Sequence, residues 1–233
     1  MNDIDAIAAL QDPVRRRLYE YVAAQGREVG RNEAAEATGV ARTLAAHHLD
    51  RLAEAGLLDT GSRRLTGRSG PGAGRPAKVY TRARAERAVS LPARDYRTAA
   101  ELLAEAAEQA GLDAGLCVAA RRRGEALRGS AAPCGGLEEA METLAARGYE
   151  PHLEAAVGAE GAEEGAAGAA GAVVRMRNCP FHAVAERFPP LVCGMNLALL
   201  EGLLGTEGPV RARMAARPGE CCVVVEEAVG EEL

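Results

Sequence analysis

The 233-residue chain has no tryptophan, two phenylalanines and a single lysine, Lys78. With aromatics at 3%, its core has to be built largely from Leu, Val and Ala. No apolar run is long enough to span a bilayer: the longest, Leu191–Leu204, is short and carries Glu201. Met1–Leu10 holds Asp3 and Asp5 instead of a basic start and an apolar run, so a secretory signal is not expected. The six cysteines include no tight C-x-x-C pair. Without a secretory signal they read as reduced thiols, suited to metal or redox chemistry rather than to disulfides. The expected setting is the cytoplasm, with no membrane partner.

What is present is unevenly distributed. The net charge of −5 would argue against nucleic acid, yet residues 1–90 hold fifteen Arg and Lys against eleven Asp and Glu, +4. Residues 91–233 hold thirteen against twenty-two, −9. A basic front on an acidic back suits a DNA reader joined to something else. The chain has room for two modest domains. The abundance of Ala, Gly and Arg matches GC-rich codon usage and carries no mechanistic weight.

Residues 12–81 read as a winged helix-turn-helix. Asp12-Pro13 opens a first helix, a carboxylate cap followed by a proline where no N–H is needed. Val14, Leu18, Tyr21 and Val22 fall on one face of it, and at least one of Arg15, Arg16 and Arg17 should meet a phosphate. Asn32 is expected to cap a second helix, and Gly39 to supply the left-handed turn after it. A third helix over Arg42–Ala55 divides on its wheel at about 100° per residue. Leu44, Ala45, His48, Leu49 and Leu52 should pack inward, and Thr43, Ala46, His47, Asp50 and Arg51 should face away.

That outward side, with Arg42, Thr43, Ala46, His47 and Arg51, is the candidate reading surface for double-stranded DNA. His47 is expected to touch DNA and His48 to be a packing residue, with neither a metal ligand. Strand signals at Leu57-Leu58 and Val79-Tyr80 flank an acid-free, glycine-rich loop, Gly61–Lys78. The loop becomes a wing whose Arg63, Arg64, Arg68, Arg75 and Lys78 would make binding salt-sensitive.

"LAAHHLDRLAEAGLL" followed by "GRPAKVY" resembles the bacterial ArsR/DeoR-like winged-helix regulators, in particular the iron–sulfur-biogenesis repressor (SufR) branch. The resemblance covers the N-terminal domain, taken as residues 1–90, and implies a DNA-binding transcriptional regulator rather than an enzyme.

Beyond Pro92, a helix over Asp95–Ala110 carries Tyr96, Ala99, Leu102, Leu103 and Ala106 on one stripe. In a segment 91–112 it reads either as a dimerisation helix, because two half-sites need two heads, or as an intramolecular core helix. Residues 113–233 alternate helices over Ala114–Arg128 and Gly136–Arg147 with strands at Glu150–Ala156 and Val173–Asn178. A helix through Pro189–Leu204 and a closing hairpin follow, and this order implies a small α+β domain. Ala159–Gly171 is low-complexity Ala/Gly/Glu, read as a hairpin loop. The whole is α+β: a winged head, a linker helix and a cysteine-containing sensor domain.

Four thiols, Cys179, Cys193, Cys221 and Cys222, fall in this last stretch. Soft thiolates from separate elements suit zinc or an iron–sulfur cluster, although small core cysteines are also common. Cys221 and Cys222, read as strand neighbours, should point to opposite faces, so one would join a shared site. Cys117 and Cys134 read as structural. The segment again resembles the SufR-like regulators, whose "CP…C…C" pattern implies Cys179, Cys193 and one of Cys221 or Cys222 as ligands. His182 is the candidate fourth ligand, or else the cap of the following helix. Three functions stay open. The chain could be a regulator sensing an iron–sulfur cluster or metal. It could be one with a structural zinc or no metal that answers a small organic effector. It could be a thiol enzyme using Cys179 and His182, which would leave the head unexplained.

Overall fold

A computed structural model describes residues 2–63, 76–155 and 171–228. The chain divides into two compact units, residues 1–94 and 95–233.

In the first unit, α1 (Asp3–Ala8) and a short 3-10 turn lead into α2 (Pro13–Gln25). Asp12 Oδ1 accepts the backbone N–H groups of Val14 and Arg15, each at 2.9 Å, and Pro13 occupies the first turn. A cap of this kind is worth about 1 kcal/mol. β1 (Val29–Gly30), α3 (Arg31–Thr38) and α4 (Arg42–Glu54) follow. The cap expected at Asn32 is not there: the helix starts two residues earlier, after Gly30, whose N–H is accepted by Glu33 at 3.4 Å. Asn32 is exposed inside the first turn. Gly39 takes the left-handed conformation (φ 66°) that turns α3 into α4, which a side chain rarely adopts.

β2 (Leu58–Arg63) and β3 (Ala77–Arg82) then form an antiparallel pair, with β1 on the other side of β3. The tip of the expected wing, with Arg64, Arg68 and Arg75, lies outside the described residues. The core of the unit joins Leu18 and Val22 of α2 to Ala45, Leu49 and Leu52 of α4 and to Tyr80 of β3. Leu44 departs from the wheel and is 44% exposed. A helical wheel assumes equal cover along the helix, and here only the face from Ala45 onward is buried.

The second unit begins with α5 (Tyr96–Gln109) and α6 (Asp113–Arg128), then α7 (Leu137–Ala145), β4 (Pro151–Ala155) and β5 (Ala172–Met176). α8 (His182–Ala185), α9 (Pro189–Leu204), β6 (Val210–Met214) and β7 (Val223–Glu227) complete it. The strands form an antiparallel sheet of order β4-β5-β7-β6. Leu137, Ala140 and Leu144 of α7 and Leu200, Leu203 and Leu204 of α9 join Val174, Met176, Val223 and Val225 of the sheet in one core. Most of the low-complexity segment, residues 156–170, lies outside the described residues.

α6 and α9 touch backbone to backbone. A Cβ at Gly124 would collide with the Leu199 carbonyl oxygen, and one at Gly202 with that of Arg121. Arg121 and Glu201 form an ion pair across the same seam. α5 has no buried residue, and Tyr96, Leu102 and Leu103 are 74%, 62% and 72% exposed. Its other side rests on a small cluster: Ala104 and Ala107 pack with Phe188, Leu191 and Val192.

The seam sets a test. Gly202→Ala should cost about 1–3 kcal/mol by overpacking, seen as a lower urea midpoint. Gly115→Ala, in α6 with open space around the new methyl, should leave the midpoint unchanged or slightly raised.

Candidate nucleic-acid interface and cysteine site

α4 buries Ala45, His48, Leu49 and Leu52 and thereby turns Arg42, Thr43 and His47 to solvent. Ala46 is half-buried between the two sides. Arg51 is exposed, its guanidinium 2.9 Å from Glu54. His48 is 7% exposed, and burial pushes its imidazole pKa down, keeping it neutral. On the first wing strand, Arg63 Nε lies 3.6 Å from Glu28 Oε2.

Lys78 is engaged differently from expectation. Its Nζ donates to Asp50 Oδ1 at 2.7 Å. The same carboxylate accepts the Tyr80 hydroxyl at 2.7 Å and the Arg31 guanidinium at 3.0 and 2.8 Å. Arg31 Nε in turn donates to the Tyr80 hydroxyl oxygen at 2.8 Å. α3, α4 and β3 thus meet at one anion. Burial works against the Asp50 charge, but the hydrogen bonds from Lys78, Tyr80 and Arg31 hold its carboxyl below the ordinary carboxylate range. Burial, reinforced by Asp50, raises the Tyr80 hydroxyl to about 12. The sequence hid this hub because its members are 19, 28 and 30 positions from Asp50.

In the second unit the four C-terminal thiols converge. Cys179 interacts with Cys221, Cys221 with Cys222, and Cys222 with Cys193. Both members of the vicinal pair take part, because Cys221 and Cys222 precede β7 at a bend and do not alternate along a strand. Their backbones are tied to Met176 and Ala215: Cys221 N–H donates to the Met176 carbonyl at 2.9 Å, and the Cys222 carbonyl accepts from Ala215 at 2.8 Å.

Hydrogen bonds from the Cys179 and Cys222 thiols, the Val223 backbone and Asn196 pull the Cys221 pKa down against burial. The bond to Cys221, then burial, pushes Cys179 and Cys222 up.

A buried polar chain supports this group. The Tyr149 hydroxyl donates to Asn196 Oδ1 at 2.5 Å, and Asn196 Nδ2 donates to Cys221 Sγ at 3.3 Å. Asn196 is fully buried in the middle of α9, where a polar side chain persists only with partners. Spacing gave no sign of either residue.

His182 is 64% exposed and its Nε2 faces Glu186 at 3.2 Å. Cys134 is buried beside Thr143, and Cys117 packs near Gly194. The donor chemistry of four thiols on three elements suits a thiophilic metal or cluster. Among the described residues no group of three or more His, Cys, Asp and Glu has the arrangement of a metal site.

Asn196→Ala should leave the Tyr149 hydroxyl and the Cys221 sulfur without their buried partner. The expected cost is about 1–3 kcal/mol in urea unfolding. An unchanged midpoint would show that the Tyr149–Asn196–Cys221 chain supports nothing.

Residues 10–61 match a family described as a helix-turn-helix domain. No curated protein and no solved structure matches the chain. No helix among the described residues is long and apolar enough to cross a membrane. The matched span runs from the 3-10 turn before α2 into β2, so the N-terminal unit carries a helix-turn-helix domain of the kind that DNA-binding regulators use.

Proposed function

We propose that the protein is a homodimeric transcriptional regulator of the SufR-like branch, which binds double-stranded DNA through α4 and the wing and senses an iron–sulfur cluster or metal through Cys179, Cys193 and the Cys221–Cys222 bend. The observation that carries the DNA-binding half is the exposed Arg42–His47 face of α4 inside a matched helix-turn-helix domain. The convergence of four thiols from three elements supports the sensing half.

A bound cluster or metal would supply a link between the segment after β5, α9 and the bend before β7. The chain's own residues give that link a route outward. Cys193 follows Leu191 and Val192, which pack against Ala104 and Ala107 on the inner side of α5. Glu101 of α5 pairs with Arg187 just before α9. The opposite stripe of α5, Tyr96, Leu102 and Leu103, is the face for a second copy of the chain. Ordering or loosening α9 would then bias the dimer, and a coupling of about 2 kcal/mol changes operator affinity roughly thirtyfold. His182 is a reserve ligand at most, since reaching the thiols would require it to leave Glu186.

Protein purified without oxygen should be brown, with stoichiometric iron and sulfide, and Cys193→Ser should lose the colour while Cys117→Ser keeps it. Colourless protein with stoichiometric zinc would replace the sensor with a structural site and an organic effector. Colourless, metal-free protein after anaerobic reconstitution would return the thiols to the core. His47→Ala should alter the sequences recovered from a random duplex library while leaving non-specific affinity close to wild type.

A further inference from the structure

Resting on the DNA-binding reading, we propose that Asp50 is a positioning residue that latches the wing strand to the recognition helix and withholds Arg31 and Lys78 from the phosphate backbone, giving up non-specific affinity for sequence discrimination.

The geometry is specific. Asp50 lies in the third turn of α4, seven residues after Thr43, half-exposed on the side away from the Leu49 and Leu52 core. A bare carboxylate there would repel DNA. Instead it accepts from Arg31 of α3, from Lys78 of β3 and from the Tyr80 hydroxyl two residues further along β3. Lys78 and Arg31 also lie 5.4 and 5.9 Å from the centre of the Tyr80 ring, and Tyr80 itself is fully buried. Two cations that could each take a phosphate are held by one anion on the helix.

Two consequences follow. The cluster presents one net positive charge instead of two, which lowers attraction to any duplex. The angle between α4 and β3 is fixed before DNA arrives, so the wing cannot shift to accommodate a poorly matched site. Phosphate contacts give affinity without sequence information, whereas a fixed docking register makes base contacts decide. The cation most suited to a phosphate on β3 is therefore the one kept closest to the helix.

The test uses the full chain with Asp50→Asn, Lys78→Gln and the double variant, each checked for an intact thermal transition. Binding to a random-sequence duplex is followed from 50 to 200 mM salt, and sequence preference is read by selection from a random duplex library. Releasing one or two cations should steepen the salt slope by about one to two. The affinity lost across that salt range should then grow about fourfold to sixteenfold, the value that slope change implies. Asp50→Asn should bind the random duplex more tightly at 50 mM, and the selected consensus should broaden.

Adding Lys78→Gln should remove at least half of the gained slope. A folded Asp50→Asn protein with wild-type slope and consensus overturns the latch. A consensus changed at one base pair with unchanged slope would make Asp50 a base reader and also overturn it. If Asp50→Asn does not fold, Lys78→Gln alone decides: the latch predicts a broadened consensus with a wild-type slope, and a slope shallower by about one with an unchanged consensus rejects it. Wild-type protein that binds no duplex at 50 mM salt removes the DNA-binding reading and the latch together.

Discussion

Asp50 places a negative charge on the side of α4 away from the core, and Arg31, Lys78 and Tyr80 answer that charge. Arg31 reaches it from the helix before the turn, and Lys78 and Tyr80 reach it from the returning wing strand. α3, α4 and β3 are thereby fixed to one another at a half-exposed position. Such a partly solvated ion pair is worth little as stability, commonly 1 kcal/mol or less. Its effect is on geometry: it sets where the wing stands relative to α4. The buried Tyr80 ring makes this possible, because it anchors the hydroxyl in the core while the two cations lie near its ring.

The second unit solves a different problem with the same economy of residues. Its helices come together at Gly124 and Gly202, where the backbones approach too closely for any side chain. That contact fixes α9 against α6 and leaves the middle of α9 to carry Cys193 and Asn196. The Tyr149–Asn196–Cys221 chain then holds the bend before β7 against the helix. Cys179 and Cys222 interact with Cys221 at that bend, and Cys193 with Cys222. The α5 stripe sits one packing layer away, through Phe188 and Val192.

Much of the head was legible because its signals are local. Asp12-Pro13, Gly39 and the buried side of α4 from Ala45 onward each follow from rules that operate within one turn. The errors were local as well: Glu33 bonding back to Gly30 displaced the Asn32 cap, and uneven cover exposed Leu44. What sequence could not show was long-range polar pairing. Lys78 reads as a wing cation until Asp50, 28 positions away, is found beside it. Cys221 and Cys222 read as strand neighbours on opposite faces, and the bend that turns both toward Cys179 and Cys193 leaves no mark in spacing. Asn196 lies within an apolar helix whose periodicity points to the core and not to a hydrogen-bonded site.

The central claim is that the exposed start of α4 and the wing strands bind duplex DNA. An NMR titration of isotope-labelled protein with a random-sequence duplex at low salt tests it most directly. The account predicts backbone shifts concentrated at Arg42, Thr43, His47 and along β2 and β3, with the Gly124–Gly202 seam unmoved. Shifts absent from α4 and the wing, or confined to the second unit, would contradict it.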